Sequence, residues 1–80
     1  MTEDDIDLLR RAGALLYGPA WQAELARALG IKERTVQRWA AGSRELPEEV
    51  WSELTELLFE HRDDLATVLG ELASRQEGGA

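Results

Sequence analysis

Apolar residues return at three- and four-residue intervals along almost the whole of this chain, and glycine or proline falls where the interval breaks. These two observations predict an all-α fold: a small helical bundle that ends in a long carboxy-terminal helix or a helix pair. A third observation sets its scale. Eighty residues without cysteine make one domain, 1–80, near the size at which a single core becomes marginal. Three tryptophans enlarge what that core can bury. Without cysteine there is neither a disulfide scaffold nor a thiolate metal site, which fits a reducing compartment.

Thr2, with Asp5 three residues later, has the form of a capping box, and Glu3, Asp4 and Asp5 suit the positive end of a helix dipole. Ile6, Leu9, Ala12, Leu15 and Leu16 form an apolar stripe, with Leu8 beside it, so a first helix is expected from about Glu3 to Leu16. Gly18-Pro19 ends it, and proline at a first helical position opens the second, Pro19 to Leu29. Leu25, Ala26 and Leu29 give that helix its apolar face. Gly30 interrupts, Ile31 supplies an anchor, and a third helix is expected from about Lys32 to Ala41, with Val36, Trp39 and Ala40 as its buried face. Gly42 suits a left-handed stop, and Ser43 to Leu46 form a loop. Pro47-Glu48-Glu49 then opens the last element, proline first and acids in the first turn. Val50, Trp51, Leu54, Leu57, Leu58, His61, Leu65, Val68, Leu69 and Leu72 keep helical spacing after it. Either one helix spans about Glu48 to Ser74, or a break near Asp63-Asp64 makes two. The tail from Gln76 to Ala80 has no apolar anchor and is expected to fray.

The second and third helices are joined so tightly that their apolar faces must meet, which leaves the polar face of the third outside. That face carries Lys32, Glu33, Arg34, Gln37 and Arg38, side chains suited to phosphates and base edges. The stretch from Gln22 to Gly42 resembles the helix-turn-helix of the Cro/C1-type (XRE-like) repressor family. The matches are Gln22 opening the first helix of the motif, small Ala26 at the closest approach, Gly30 in the turn, and Val36 and Trp39 buried on the second. The run from Trp39 to Pro47, WAAGSRELP, resembles that family's exit: a glycine stop, a basic loop residue and a proline opening the next helix. The resemblance covers roughly Leu8 to Leu58. Lys32 is a departure, standing where many members place a Ser or Thr N-cap.

The resemblance implies a recognition helix in the major groove. Glu33 and Arg34 would lie in its first turn, with Gln37 and Arg38 one turn on. Arginine pairs with guanine, glutamine with adenine, and Glu33 either accepts from cytosine or orients an arginine. Gln22 resembles the family residue that contacts phosphate and braces the recognition helix. Lys32, Thr35, Ser43 and Arg44 are further phosphate candidates, with capping or loop solvation as the plainer reading of Ser43. Arg10 and Arg11 either contact phosphates or offset the acidic end of the first helix, the second being the favoured reading.

The net charge of −7 opposes nucleic acid only on average. From Arg10 to Arg44 there are seven basic residues (Arg10, Arg11, Arg27, Lys32, Arg34, Arg38, Arg44) against Glu24 and Glu33. From Glu45 to Ala80 there are Arg62 and Arg75 against ten carboxylates. At a Debye length of ~8 Å a duplex senses mainly the near face.

Trp39 shares a face with Val36 and Ala40, so it is read as core, with Trp51 in the same core or at an interface. Trp21 either covers the first helix or lies near the DNA backbone. Glu53, Glu56 and Glu60 form a solvated acidic face. His61 falls on the apolar stripe, which favours packing over metal ligation. No nucleophile–base set, phosphate loop or metal spacing is present. Leu58, His61, Leu65, Val68, Leu69 and Leu72 exceed what a three-helix core covers, so the extension at about 57–75 is expected either to dimerise or to fold back.

The expected function is sequence-specific binding of double-stranded DNA by a homodimeric transcriptional repressor that occludes a promoter at an inverted repeat. No enzyme activity, cofactor, metal or small-molecule substrate is expected. Without an ~18-residue apolar run or a basic leader, membrane insertion is not expected either, and the location is read as cytoplasmic. The alternative is a protein-interaction module that keeps the helix-turn-helix and binds a partner through its acidic carboxy-terminal face.

Overall fold

The computed structural model describes residues 1–78. It contains four α-helices, α1 Glu3–Tyr17, α2 Trp21–Leu29, α3 Glu33–Ala40 and α4 Glu48–Gly78, with a 3-10 turn at Gly18–Ala20 between α1 and α2 and no strand among the described residues. The all-α bundle with a long carboxy-terminal helix is as the sequence predicts. Thr2 caps α1, its hydroxyl accepting from the Asp5 amide at 3.1 Å, and three acids occupy the first turn.

The second helix starts later than the expected Pro19. Gly18 (φ 74°) leaves the helical region, Gly18-Pro19-Ala20 closes a single 3-10 turn, and the α-helix begins at Trp21. The tighter turn reverses the chain within three residues and brings the Trp21 ring onto α1. It lands on Gly13, where a Cβ would collide with ring atoms Cγ, Cδ2 and Cε3. Trp21 is therefore a core residue against the first helix.

Both remaining short helices end in the same way. After α2 the Ile31 amide donates to the Ala26 carbonyl and the Gly30 amide to Arg27, with Gly30 left-handed at φ 69°. After α3 the Ser43 amide donates to Arg38 and the Gly42 amide to Trp39, with Gly42 at φ 76°. Each is a Schellman closure, which satisfies two orphan carbonyls and turns the chain sharply. Gly42 is doubly constrained, because a Cβ there would also lie 2.6 Å from Ile6 Cδ1. At its other end α3 is poorly finished: Lys32 is its N-cap rather than its first residue, with extended backbone and no side-chain cap.

The core gathers Leu9 and Ala12 from α1, Trp21, Leu25 and Ala26 from α2, Val36, Trp39 and Ala40 from α3, the loop residue Leu46, and Leu54 from α4. Val50, Trp51 and Leu57 pack against it half-buried. Trp39 Nε1 is buried without a partner, a cost of about 1–3 kcal/mol that the burial of the indole offsets. Leu15, expected in the stripe that faces the core, is instead 69% exposed, and Ile31, expected as an anchor, is 37% exposed.

α4 is one helix, without a break at Asp63-Asp64, and it runs on to Gly78 rather than fraying from Gln76. Gly79 and Ala80, the end of that expected tail, lie outside the described residues. Every described residue from Arg62 onward is exposed.

Two stability changes of opposite sign are expected. Gly13→Ala gains helix propensity but forces the Trp21 ring to move, and overpacking costs about 1–3 kcal/mol. A net loss near 1 kcal/mol should lower the melting temperature by roughly 4–8 °C. Lys32→Ser supplies the missing cap and should stabilise by about 0.5–1 kcal/mol. Thermal melts followed by circular dichroism check both.

Candidate nucleic-acid interface

α3 has eight residues, and three of them, Val36, Trp39 and Ala40, are spent on the core. Helical periodicity then dictates the rest. Glu33, Arg34, Gln37 and Arg38 are exposed on the opposite face, and Thr35 is half-buried at its edge. The four residues expected to face bases are thus brought together on one outward surface.

Lys32 and Arg44 are exposed at the two ends of this helix, Lys32 as its N-cap and Arg44 two residues past Gly42. Because Lys32 supplies no cap, the first-turn amides of α3 have no side-chain acceptor, and the Thr35 amide donates to the Lys32 carbonyl instead. They add partial positive charge at the same end. Gln22 lies in the first turn of α2, half-buried. Ser43 is exposed, but its hydroxyl donates to the Arg38 carbonyl at 3.2 Å. Its proton is committed to closing α3, the plainer of its two expected roles.

The pairing of the cations separates two groups. Arg11 binds Asp7 at 2.9 Å and Arg27 binds Glu24 at 3.1 Å, while Arg62 lies 4.8 Å over the Phe59 ring. Lys32, Arg34, Arg38 and Arg44 form no ion pair among the described residues. The free positive charge therefore concentrates on and beside α3, in a chain whose other basic side chains in this half are largely engaged.

Arg10 is engaged in a way the sequence did not reveal. Its Nη2 donates to the Ala40 carbonyl at 2.7 Å, part-buried, linking α1 to the last turn of α3. A charged donor on a helix's terminal carbonyl satisfies an orphan acceptor and opposes the dipole's negative end. Arg10 thus fixes the C-terminal end of α3 rather than serving only to offset nearby acids. The signal was invisible because it joins residues thirty positions apart.

The opposite end of the molecule is different. Leu58 and His61 are half-buried, and Leu65, Val68, Leu69 and Leu72 are exposed along the free part of α4. Among the described residues no three His, Cys, Asp or Glu side chains cluster to hold a metal, and no helix is long and apolar enough to cross a membrane.

A helix-turn-helix family model matches residues 22–65, from the second residue of α2 through α3 and a little over half of α4. Comparison with curated proteins and with solved structures finds no match. The family match covers more than half the chain, and its outward helix bears the unpaired basic face that a duplex requires. The chain belongs to the Cro/C1-type helix-turn-helix family, whose members bind double-stranded DNA sequence-specifically.

Proposed function

We propose that the protein is a dimeric transcriptional repressor that binds an inverted-repeat operator and occludes the promoter, regulated through its own concentration. The observation that carries this reading is the exposed, unpaired basic face of α3. In this reading α3 enters the major groove, and Arg34 and Arg38 donate bidentately to guanine O6 and N7. Gln37 reads adenine and Glu33 accepts from cytosine N4 or steers Arg34. Lys32, Arg44, Thr35 and Gln22 contact phosphates and set the register. Ser43 contributes there chiefly by holding the loop closed.

The homodimer is proposed through Leu58, His61, Leu65, Val68, Leu69 and Leu72 of α4. Two copies joined there would present two α3 helices to successive major grooves about 34 Å apart. The protein would act in the cytoplasm as a binder, without catalysis, cofactor or small-molecule substrate. The carboxylates of α4 keep that half of the molecule away from phosphate, which orients the encounter with α3 foremost.

A pool of random duplexes selected on the protein should yield a pseudo-palindromic site. On that site Arg34→Ala and Arg38→Ala should each lose ~1–3 kcal/mol and relax discrimination at one base pair per half-site. Unchanged binding in both variants would remove α3 as the reader. Affinity should also fall steeply between 50 and 200 mM salt, and Lys32→Ser and Arg44→Ala should each lower the salt slope by about 1 per protomer. Weak, salt-insensitive binding of all duplexes would instead favour the interaction-module reading through the acidic face.

A further inference from the structure

We infer that the apolar groove between α1 and α4 is the seat for the projecting end of α4 from a second copy of this chain, so that two copies exchange helix ends. The inference rests on the homodimer reading and adds where each end docks.

The groove is built by two helices that run side by side in the same direction. Met1 and Asp5 lie with Glu48 and Trp51 around one hollow, and Leu8 and Ala12 lie with Trp51, Leu54 and Leu58 around the next. A third hollow of about 250 Å³ follows, lined by Thr55, Leu58, Phe59 and Arg62. This third hollow lies on α4 alone and adjoins the second at Thr55 and Leu58, so it extends the α1–α4 groove along α4. Both hollows are shallow and open along their length, which suits inserted side chains. Leu15 continues the Leu8–Ala12 face of α1 by one turn. Leu8, Leu15 and Phe59 are all 47% or more exposed.

The chain's own tail does not reach this groove. α4 is unbroken from Glu48 to Gly78, so its last seventeen described residues extend about 25 Å past the body at 1.5 Å per residue. The molecule is accordingly 54 Å long and about 20 Å across. The occupant must come from another molecule, and a second copy offers a matching one. Its projecting end bears Leu65, Val68, Leu69 and Leu72, each half or more exposed.

Area and charge agree. The seven exposed apolar residues of groove and tail together present on the order of 700 Å², near the ~800 Å² that each partner gives to a standard interface. Joining tail to tail alone would leave Leu8, Leu15 and Phe59 in water, whereas tail in groove buries both sets twice by symmetry. The groove is bordered by Arg62, which lies over the Phe59 ring and pairs with no carboxylate among the described residues. The tail's stripe is flanked by Asp64 and Glu71. Arg62 is exposed, so an incoming acid meets it without displacing core.

The test uses the full chain and two readouts. Leu8→Glu/Leu15→Glu changes only exposed α1 residues, so the helical circular dichroism should stay as in wild type. Sedimentation should show a wild-type dimer and a dimer Kd raised about 100-fold or more in the variant. The chain has no cysteine, so Leu15→Cys protein mixed with Leu69→Cys protein and a short bismaleimide should give a covalent pair containing one of each. A dimer that persists in Leu8→Glu/Leu15→Glu, with crosslinks only between Leu69→Cys copies, overturns the groove seat and leaves the homodimer standing. A wild-type chain that stays monomeric at micromolar concentration, with and without operator DNA, overturns both.

Discussion

An eight-residue helix does not hold its own shape in water. Isolated helices shorter than about 12–15 residues are marginal even in favourable sequences, and α3 lacks a side-chain cap at its start. Its existence and its direction therefore depend on one interaction: the burial of Val36, Trp39 and Ala40 against Leu9, Leu25 and Ala26. Burying Val36 and Trp39 contributes roughly 1.5–3 kcal/mol or more each, enough to fold the segment. The same contact fixes the helix's rotation about its axis. Because periodicity is 3.6, once those three residues face inward, Glu33, Arg34, Gln37 and Arg38 have no direction left but outward. Core and interface are two sides of one constraint.

The remaining structure supplies what that contact cannot. Rotation is settled by the apolar face, but tilt and end position need fixed points at both termini. Gly30 supplies one by turning the chain within two residues after α2. The other combines the Gly42 closure, the Ser43 hydroxyl on Arg38 and the Arg10 guanidinium on Ala40. Arg10 is the notable member, because it gives the acidic amino-terminal helix a role in placing a basic surface it does not share. Gly13 lets the Trp21 ring approach α1, which seats α2 and so the whole motif. None of these residues needs to touch DNA to govern whether α3 meets a groove correctly; a misplacement of ~1 Å is enough to disturb hydrogen-bond geometry.

Much of this was legible in the sequence, for identifiable reasons. Local signals were reliable: the Thr2 cap, the left-handed Gly42, the Trp39 face and the missing cap at Lys32 all depend on residues within one or two turns. Signals that depend on tertiary placement were not. Arg10 reads as an unremarkable helix cation until the fold brings Ala40 beside it. Leu15 satisfies the apolar spacing of α1 yet is exposed, because spacing names a face without saying how far along the helix a neighbour reaches. Pro19 marked a helix start truthfully, but nothing nearby said that the first turn would be 3-10. In the candidate site, the exposed set on α3 followed from periodicity alone, whereas the commitment of the Ser43 hydroxyl required the closed loop.

The length of α4 is where these two kinds of signal meet. Its first half is paid for by the core, through Leu54 and the half-buried Val50, Trp51 and Leu57. Its second half has no such partner, and exposing four aliphatic side chains along a rigid rod is unfavourable for a monomer. Helical spacing persists through that half even though nothing in the monomer requires it. A segment that needed only to be soluble would carry polar residues at Leu65, Val68, Leu69 and Leu72, as it does at Asp63, Asp64 and Glu71. Regular apolar spacing without an intramolecular partner is a property of a surface shaped for contact. In a DNA reader whose recognition helix spans only two turns, joining two copies is also the direct way to lengthen the sequence that is read. The unsatisfied stripe of α4 and the short reach of α3 are thus complementary deficits, and the second copy of the proposed dimer would answer both.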